Sequence, residues 1–140
     1  MEYLDMVLRL QLIYEKKIML ISCGAFYIAV GSDAVMLHRK LGLKLNCAKR
    51  NLCKVGIPKN SIYKYLKQIE ELGYACIILE YDKNNNELKK RYEKEGKDKE
   101  IYLRDNNCNN CINKRNIPLT EYEQALSKYI KKEFGEKYIC

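Results

Sequence analysis

The spacing of apolar residues changes along the chain, and each spacing predicts one type of secondary structure. Apolar side chains recur every three to four residues over residues 4–14 and 62–72, which predicts two amphipathic helices. Continuous apolar runs at residues 18–21, 25–30 and 74–79 instead indicate strands covered by other layers. Helices and strands therefore alternate along the chain.

Polar and glycine-containing segments separate these runs. Residues 31–33 (Gly-Ser-Asp) offer a capping side chain and early negative charge for a helix that Gly42 ends. Asn60 or Ser61 is expected to cap the helix that follows Pro58. The alternation of Leu and polar residues over 43–46 predicts a half-exposed strand, followed by a surface hairpin or loop at 47–54.

The last third of the chain is more polar. Residues 82–99 are rich in Asn and in charges of both signs, which predicts an exposed helix or a loop, and residues 101–103 are compatible with a short strand. Thr120 and Glu123 form a capping-box pair. The apolar stripe behind this pair predicts a terminal helix and consists of Tyr122, Ala125, Leu126, Tyr129, Ile130 and Phe134.

This order of elements predicts an α/β fold with a mixed β-sheet flanked by helices and a C-terminal helical extension. We expect residues 1–82 to form the core. The charged, Asn-rich segment 83–117 is expected to complete the same domain, and residues 118–140 to form the amphipathic extension.

Positive charge is concentrated in one part of the sequence. The formal net charge is +8, and the segment from Ala34 to Ile69 contains no acidic residue. Such a concentration is typical of proteins that contact phosphates, although a solvated basic face is the alternative. The basic residues of this segment are Arg39, Lys40, Lys44, Lys49, Arg50, Lys54, Lys59, Lys64 and Lys67.

Composition excludes several classes of function. No apolar run is long enough to cross a membrane and the first residues lack the basic region of a signal peptide, so we expect a cytoplasmic protein with reduced cysteines. Cys108 and Cys111 have the spacing of half a zinc site, which Cys76, Cys140 or a second chain would have to complete. An inert polar loop is the alternative, and no cofactor is expected. A single histidine, His38, argues against catalysis.

Two segments together carry the pattern of a known family. Residues 24–34 are Gly-Ala-Phe-Tyr-Ile-Ala-Val-Gly-Ser-Asp-Ala; later come Val-Gly-Ile-Pro at 55–58, Tyr-Leu at 65–66 and Gly-Tyr-Ala-Cys-Ile-Ile-Leu-Glu at 73–80. In order and spacing, residues 1–82 resemble the N-terminal mismatch-recognition domain of the MutS family. No Gly-x-x-x-x-Gly-Lys-Ser/Thr loop for ATP follows, so the resemblance implies a free-standing copy of that domain.

The resemblance implies a specific role for Phe26. In the family, the Phe of a Phe-x-Glu motif enters the minor groove and stacks on a mispaired or unpaired base, while the Glu hydrogen-bonds to that base. Phe26 occupies the stacking position, but Ile28 stands where the family has the Glu. The side chain that hydrogen-bonds to the base is therefore missing from the motif. From the residues alone, the alternative is a core aromatic in a strand.

The sequence therefore favours a nucleic-acid-binding accessory protein, not an enzyme and without its own ATPase, that recognises mispaired, distorted or hybrid duplexes. Duplex DNA is the expected partner, RNA or an RNA–DNA hybrid stays open, and a polymerase, reverse transcriptase or repair factor is expected beside it. The alternative is a protein-docking subunit that uses Tyr122, Leu126, Tyr129 and Ile130, with mismatch reading lost. The candidate nucleic-acid-binding residues are Phe26, Tyr27, Ile28, Arg39, Lys44, Lys49, Arg50, Lys54, Lys59 and Lys64.

Overall fold

The computed structural model describes residues 3–49, 52–102, 125–126, 128–130 and 132–133, without the side chain of Lys49. Within these residues no helix is long and apolar enough to cross a membrane. The elements, in chain order, are α1 (Tyr3–Ile13), β1 (Ile18–Cys23), β2 (Phe26–Val30), α2 (Gly31–Leu41), β3 (Asn46–Lys49), β4 (Leu52–Pro58), a 3-10 turn (Lys59–Ser61), α3 (Ile62–Leu72), β5 (Cys76–Asp82) and β6 (Glu87–Lys94).

The six strands form one mixed sheet in the order β3-β4-β2-β1-β5-β6. Strands β1 and β5 are parallel, with Ile18 opposite Cys76, and all other neighbours are antiparallel. Parallel neighbours need a crossover connection, which β2 through α3 provide here. The sheet and its flanking helices confirm the predicted α/β class.

Each face of the sheet packs against helices. Successive residues of β2 point to opposite faces, as strand geometry requires. Ile28 and Val30 join a core with α1 and with four residues of the terminal segment, Ala125, Leu126, Tyr129 and Ile130. Tyr27 and Ala29 join a core with α2 and α3. We call these the α1 face and the α3 face.

Helix α1 is fixed along the sheet at both of its ends. The Gln11 side-chain amide donates to the Val30 carbonyl at 2.7 Å and accepts from the Val30 N–H at 2.9 Å. At the other end of the helix, the Tyr3 hydroxyl donates to the Ser22 carbonyl at 3.0 Å. Helix α1 therefore spans the length of β2 and covers Ile28.

The predicted side-chain caps at the N-terminal ends of α2 and α3 are wrong, and the Thr120–Glu123 pair lies outside the described residues. Helix α2 begins after Val30 with no side-chain cap, and Ser61 makes no capping hydrogen bond to α3. Asp33 instead points inward, where its carboxylate accepts from the Met19 N–H at 3.0 Å and pairs with Lys99 Nζ at 2.8 Å. Both charged side chains are almost fully buried, at 1% exposure for Asp33 and 2% for Lys99. A buried charge requires a charged or hydrogen-bonding partner, and each of these two residues provides one for the other.

The prediction of an exposed helix or a loop over residues 82–99 is wrong, because this segment contains β6. This strand pairs with β5 as one edge of the sheet. In β6 only Leu88 is buried, and Tyr92 and Lys94 are half-buried. An edge strand has a single neighbouring strand and tolerates charged side chains at its other positions. Two further strand predictions also differ, because residues 43–45 and 101–102 are not in strands, and Leu103 lies outside the described residues.

The described part of the terminal segment is helical, and its apolar side chains are buried. Ala125, Leu126 and Ile130 have 0–1% exposure and pack in the core of the α1 face, and the Tyr129 hydroxyl hydrogen-bonds to that of Tyr14. A docking surface made of Leu126, Tyr129 and Ile130 is therefore wrong, because their side chains already stabilise this domain. Tyr122 lies outside the described residues.

Candidate nucleic-acid interface

Phe26 lies at one end of the sheet with its ring in solvent. It follows the turn at Gly24, whose φ of +61° suits glycine, and it is the first residue of β2. Its side chain is 45% exposed. The ring lies beside Gly56, where an added Cβ would come within 3.6 Å of the Phe26 Cδ1 atom. An exposed aromatic at this position rules out the core-aromatic alternative.

The backbone on both sides of Phe26 is held by neighbouring strands. Phe26 pairs with Cys23 on β1 and with Pro58 on β4. The preceding residue is also fixed, because the Lys59 N–H donates to the Ala25 carbonyl at 3.0 Å. The ring therefore projects from the end of a strand that is hydrogen-bonded on both sides. A side chain on such a strand keeps its geometry better than one on a loop.

Tyr27 and Ile28 are not at the surface, which corrects their place among the candidate binding residues. Tyr27 has 0% and Ile28 has 3% exposure. Side chains alternate between the two faces along β2, so Tyr27 packs in the core of the α3 face and Ile28 packs in the core under α1. Of these three consecutive residues, only Phe26 is therefore exposed to solvent.

The basic candidates are spread over the fold and do not all lie near Phe26. Lys54 pairs with Val30, four residues along β2 from Phe26, which corresponds to about 13 Å. The β3–β4 hairpin continues away from there, with Lys49 opposite Leu52. The hairpin thus lies at the opposite end of the sheet from Phe26.

The remaining basic candidates have different surroundings. Lys54 is half-buried and points to the same face as Phe26 and Gly56, because alternate residues of β4 share a face. Lys44 is exposed, Arg39 stacks on the Tyr102 ring at 4.8 Å, and Lys64 lies over the Tyr65 ring at 5.4 Å. The side chain of Lys49 and all of Arg50 lie outside the described residues.

Glu80 organises a polar network on the α3 face, at the same end of the sheet as Phe26 but on the opposite side. Its carboxylate accepts from the Tyr27 hydroxyl at 2.6 Å and from Lys59 Nζ at 2.8 Å, and also from the Ser22 hydroxyl. Arg91 Nη1 donates to the Tyr27 hydroxyl and lies 3.7 Å from Glu80. One carboxylate thus partners two cations, and the network has an excess of one positive charge.

The network determines which of its groups are charged. Burial alone would raise the pKa of Glu80, but the hydrogen bonds from Lys59, Ser22 and Tyr27 outweigh it and hold the pKa below its usual value. Burial and the hydrogen bond to Glu80 raise the pKa of Tyr27 to about 12. At neutral pH Glu80 is therefore ionised and Tyr27 keeps its proton.

Comparison with known proteins gives the family. A family model described as MutS domain I matches residues 3–117, most of the chain. The chain belongs to the MutS domain I family. DNA mismatch repair protein MutS of Thermotoga petrophila is 28% identical over 92 residues, which cover 66% of this chain and 12% of that protein. MutS domain I is a non-catalytic DNA-binding domain.

The match places more of the chain in domain I than the motifs did. It extends past residue 82, where the recognised pattern ends, and includes all of β6 with Arg91. Sequence reasoning missed Arg91 and Ser22, and it recognised Glu80 only as part of a pattern. The signal for Glu80 was its position next to a buried apolar run, where a carboxylate needs partners.

The cysteine hypothesis stays untested. Cys108, Cys111 and Cys140 of this domain I chain lie outside the described residues. Among the residues that the structure does describe, no group of three or more His, Cys, Asp or Glu side chains could hold a metal ion. Cys76 is buried in β5, where burial raises the pKa of its thiol to about 12.

Proposed function

We propose that this MutS domain I binds duplex nucleic acid at base-pairing defects by inserting the Phe26 ring as an apolar wedge. The observation that carries the proposal is the exposure of Phe26 at a rigid sheet end, in a chain that belongs to a DNA-binding family. An exposed phenylalanine ring can stack on a base, because every base presents a flat aromatic face.

An inserted ring discriminates between sites on a duplex by how easily their bases unstack. Inserting a side chain between bases costs a few kcal/mol, and the cost is smallest where a base is mispaired or unpaired. Because Ile28 is buried, no side chain at that position can hydrogen-bond to the base. We therefore expect a preference for deformable sites over intact duplex, with little dependence on which bases form the defect.

Electrostatic attraction supplies the remaining affinity. Lys54 lies on the face of Phe26, and no acidic partner of Lys54 occurs among the described residues. Phosphate contacts release counterions, so binding should weaken steeply as salt rises. Because phosphates and stackable bases occur in DNA, RNA and their hybrid, the choice among these partners has to be measured.

The test is fluorescence anisotropy at low salt with four labelled ligands: matched DNA duplex, the same duplex with one mismatch or one extra base, an RNA–DNA hybrid, and single-stranded DNA. Phe26→Ala is compared with wild type. Leu12→Ala is the matched control, because Leu12 is also an exposed apolar side chain, at 77%, but lies in α1 next to Gln11 at the Val30 end.

We expect wild type to prefer the defective duplex, and Phe26→Ala to lose roughly 5- to 150-fold in affinity for it, the value of one stacked base. Leu12→Ala should bind like wild type. Equal affinity of wild type for matched and defective duplex, or an unchanged affinity of Phe26→Ala, would contradict the wedge. Selective binding of the hybrid would keep the mechanism and change the partner.

A further inference from the structure

Arg91, Tyr63 and Lys59 form an exposed cationic and aromatic cluster on the α3 face, which we call the Arg91 patch. The cations of Lys59 and Arg91 lie 5.3 and 5.5 Å from the centre of the Tyr27 ring. Arg91 also lies 5.9 Å from the ring centre of Tyr63, which is 73% exposed. Three elements supply this patch: the turn after β4, α3 and β6.

The guanidinium of Arg91 is held in one orientation. Nη1 donates to the Tyr27 hydroxyl, Nη2 donates to the Tyr63 hydroxyl at 3.5 Å, and the Glu80 carboxylate lies 3.7 Å away. A guanidinium has five N–H donors, so two hydroxyl acceptors leave further donors for another group. An oriented guanidinium suits a planar or tetrahedral oxyanion, which it can bind through two hydrogen bonds.

The acids near Arg91 do not cancel the positive charge of the patch. Glu80 is shared between Lys59 and Arg91, which leaves one positive charge in excess. Glu93, two residues along β6 from Arg91, accepts from Lys17 Nζ at 2.6 Å. An anionic ligand would therefore be attracted to the patch.

We infer that the Arg91 patch binds a backbone phosphate of the nucleic acid that receives the Phe26 wedge. Phe26 and Tyr27 are consecutive residues of β2 and point to opposite faces, so the ring and the guanidinium on Tyr27 lie at the same sheet end, one on each side. Phosphates border both rims of a minor groove about 6 Å wide, within reach of a cation beside an inserted ring. The inference rests on the proposed binding of duplex nucleic acid.

The experiment measures affinity for matched and single-mismatch duplex DNA from 50 to 200 mM salt, with the full chain. Arg91→Gln removes the charge, and Arg91→Lys keeps the charge but not the paired donors. Lys90→Gln is the control, because it removes one charge from the neighbouring residue of β6, where Lys90 pairs with Leu79. Thermal unfolding of each variant is recorded alongside.

Arg91→Gln should reduce the slope of log affinity against log salt by about 0.9, the value for one phosphate, on both duplexes and without changing their affinity ratio. When salt is raised fourfold, from 50 to 200 mM, the factor by which affinity falls should be roughly 3.5 times smaller for Arg91→Gln than for wild type. Arg91→Lys should keep the slope at lower affinity, and Lys90→Gln should match wild type.

Failure of this inference and failure of the wedge give different results. An unchanged slope for Arg91→Gln, or the same slope change for Lys90→Gln, overturns the phosphate contact even if mismatch preference is intact. Loss of mismatch preference in wild type overturns the wedge but not the slope result. If Arg91→Gln does not fold, Tyr63→Phe replaces it as the test. We expect Tyr63→Phe to bind the matched and the mismatched duplex more weakly than wild type, by the same factor. If Tyr63→Phe binds both duplexes with the affinity of wild type, the phosphate contact at the Arg91 patch is overturned.

Discussion

Restoring the family's glutamate at position 28 should fail, because the structure buries this residue. Ile28 lies in the core of the α1 face with 3% exposure, and α1 covers it. The sequence alone would suggest that Ile28→Glu supplies the missing hydrogen bond to a base. We predict that the substitution destabilises the domain instead, and does so in a pH-dependent way.

The expected loss has two parts. Burial of an isoleucine side chain contributes about 1.5–3 kcal/mol. A glutamate kept in the same apolar site has its pKa raised above the unfolded value of about 4.3, and remaining protonated at pH 7 costs about 1.4 kcal/mol per pH unit, or roughly 4 kcal/mol. The total of about 5–7 kcal/mol is comparable with the whole stability of many domains.

Urea denaturation at pH 7.0, 6.0 and 5.0 measures this loss, with Ile28→Val as the control. The valine variant should lose about 0.5–1.5 kcal/mol at every pH. Because the pKa of the glutamate is raised in the folded state, the protonation part of the loss is greatest above that pKa and vanishes as pH falls towards 4.3. Ile28→Glu should therefore recover this part of its stability as the pH is lowered to 5, while the lost burial of the isoleucine side chain remains. Ile28→Glu that is as stable as Ile28→Val, with no change over this pH range, would refute the burial argument and restore position 28 to the interface.

Three further predictions concern the buried charge, the network and the surface beneath the ring. Lys99→Met should lower the free energy of unfolding by about 3–5 kcal/mol, because it leaves Asp33 buried without its partner, and the double variant with Asp33→Asn should recover part of this in chemical denaturation. Glu80→Gln should lower the free energy of unfolding by about 1–2 kcal/mol at pH 7. The lowered pKa of Glu80 means that its contribution is present above pH ~4.3 and is lost as pH falls through the folded value, so wild type and variant should converge in acid. Gly56→Ala should raise the free energy of unfolding by about 0.5–1 kcal/mol in thermal unfolding, since the new Cβ makes an ordinary contact with Phe26; a clear loss would mean that the ring needs the glycine.

The elements that local sequence predicted well are those determined by local spacing. The continuous apolar runs became β1, β2 and β5, which are covered on both faces. Helices α2 and α3 end at Gly42 and Gly73, whose positive φ values of 73° and 83° are the conformation that glycine favours at helix ends. Strand β6 was missed because an edge strand needs few apolar residues, and a register shift opposite Ile78 and Leu79 interrupts its alternation.

The candidate site depends on contacts between residues far apart in sequence. Phe26 could be singled out because a family motif marks it. The ion pair of Lys59 with Glu80 joins residues 21 positions apart, and the hydrogen bond from Arg91 to Tyr27 joins residues 64 positions apart. Charge counted along the chain therefore overestimated the basic surface, since the acids that pair with it come from other segments.

The most direct test of the wedge replaces a base next to an unpaired base with a fluorescent analogue whose emission depends on stacking. If Phe26 enters the base stack, wild-type protein changes the emission of this defective duplex and leaves that of the matched duplex unchanged. Phe26→Ala should bind at higher protein concentration without changing the emission of either duplex. The same emission change with wild type and Phe26→Ala, at saturation, would contradict the claim that Phe26 enters the base stack.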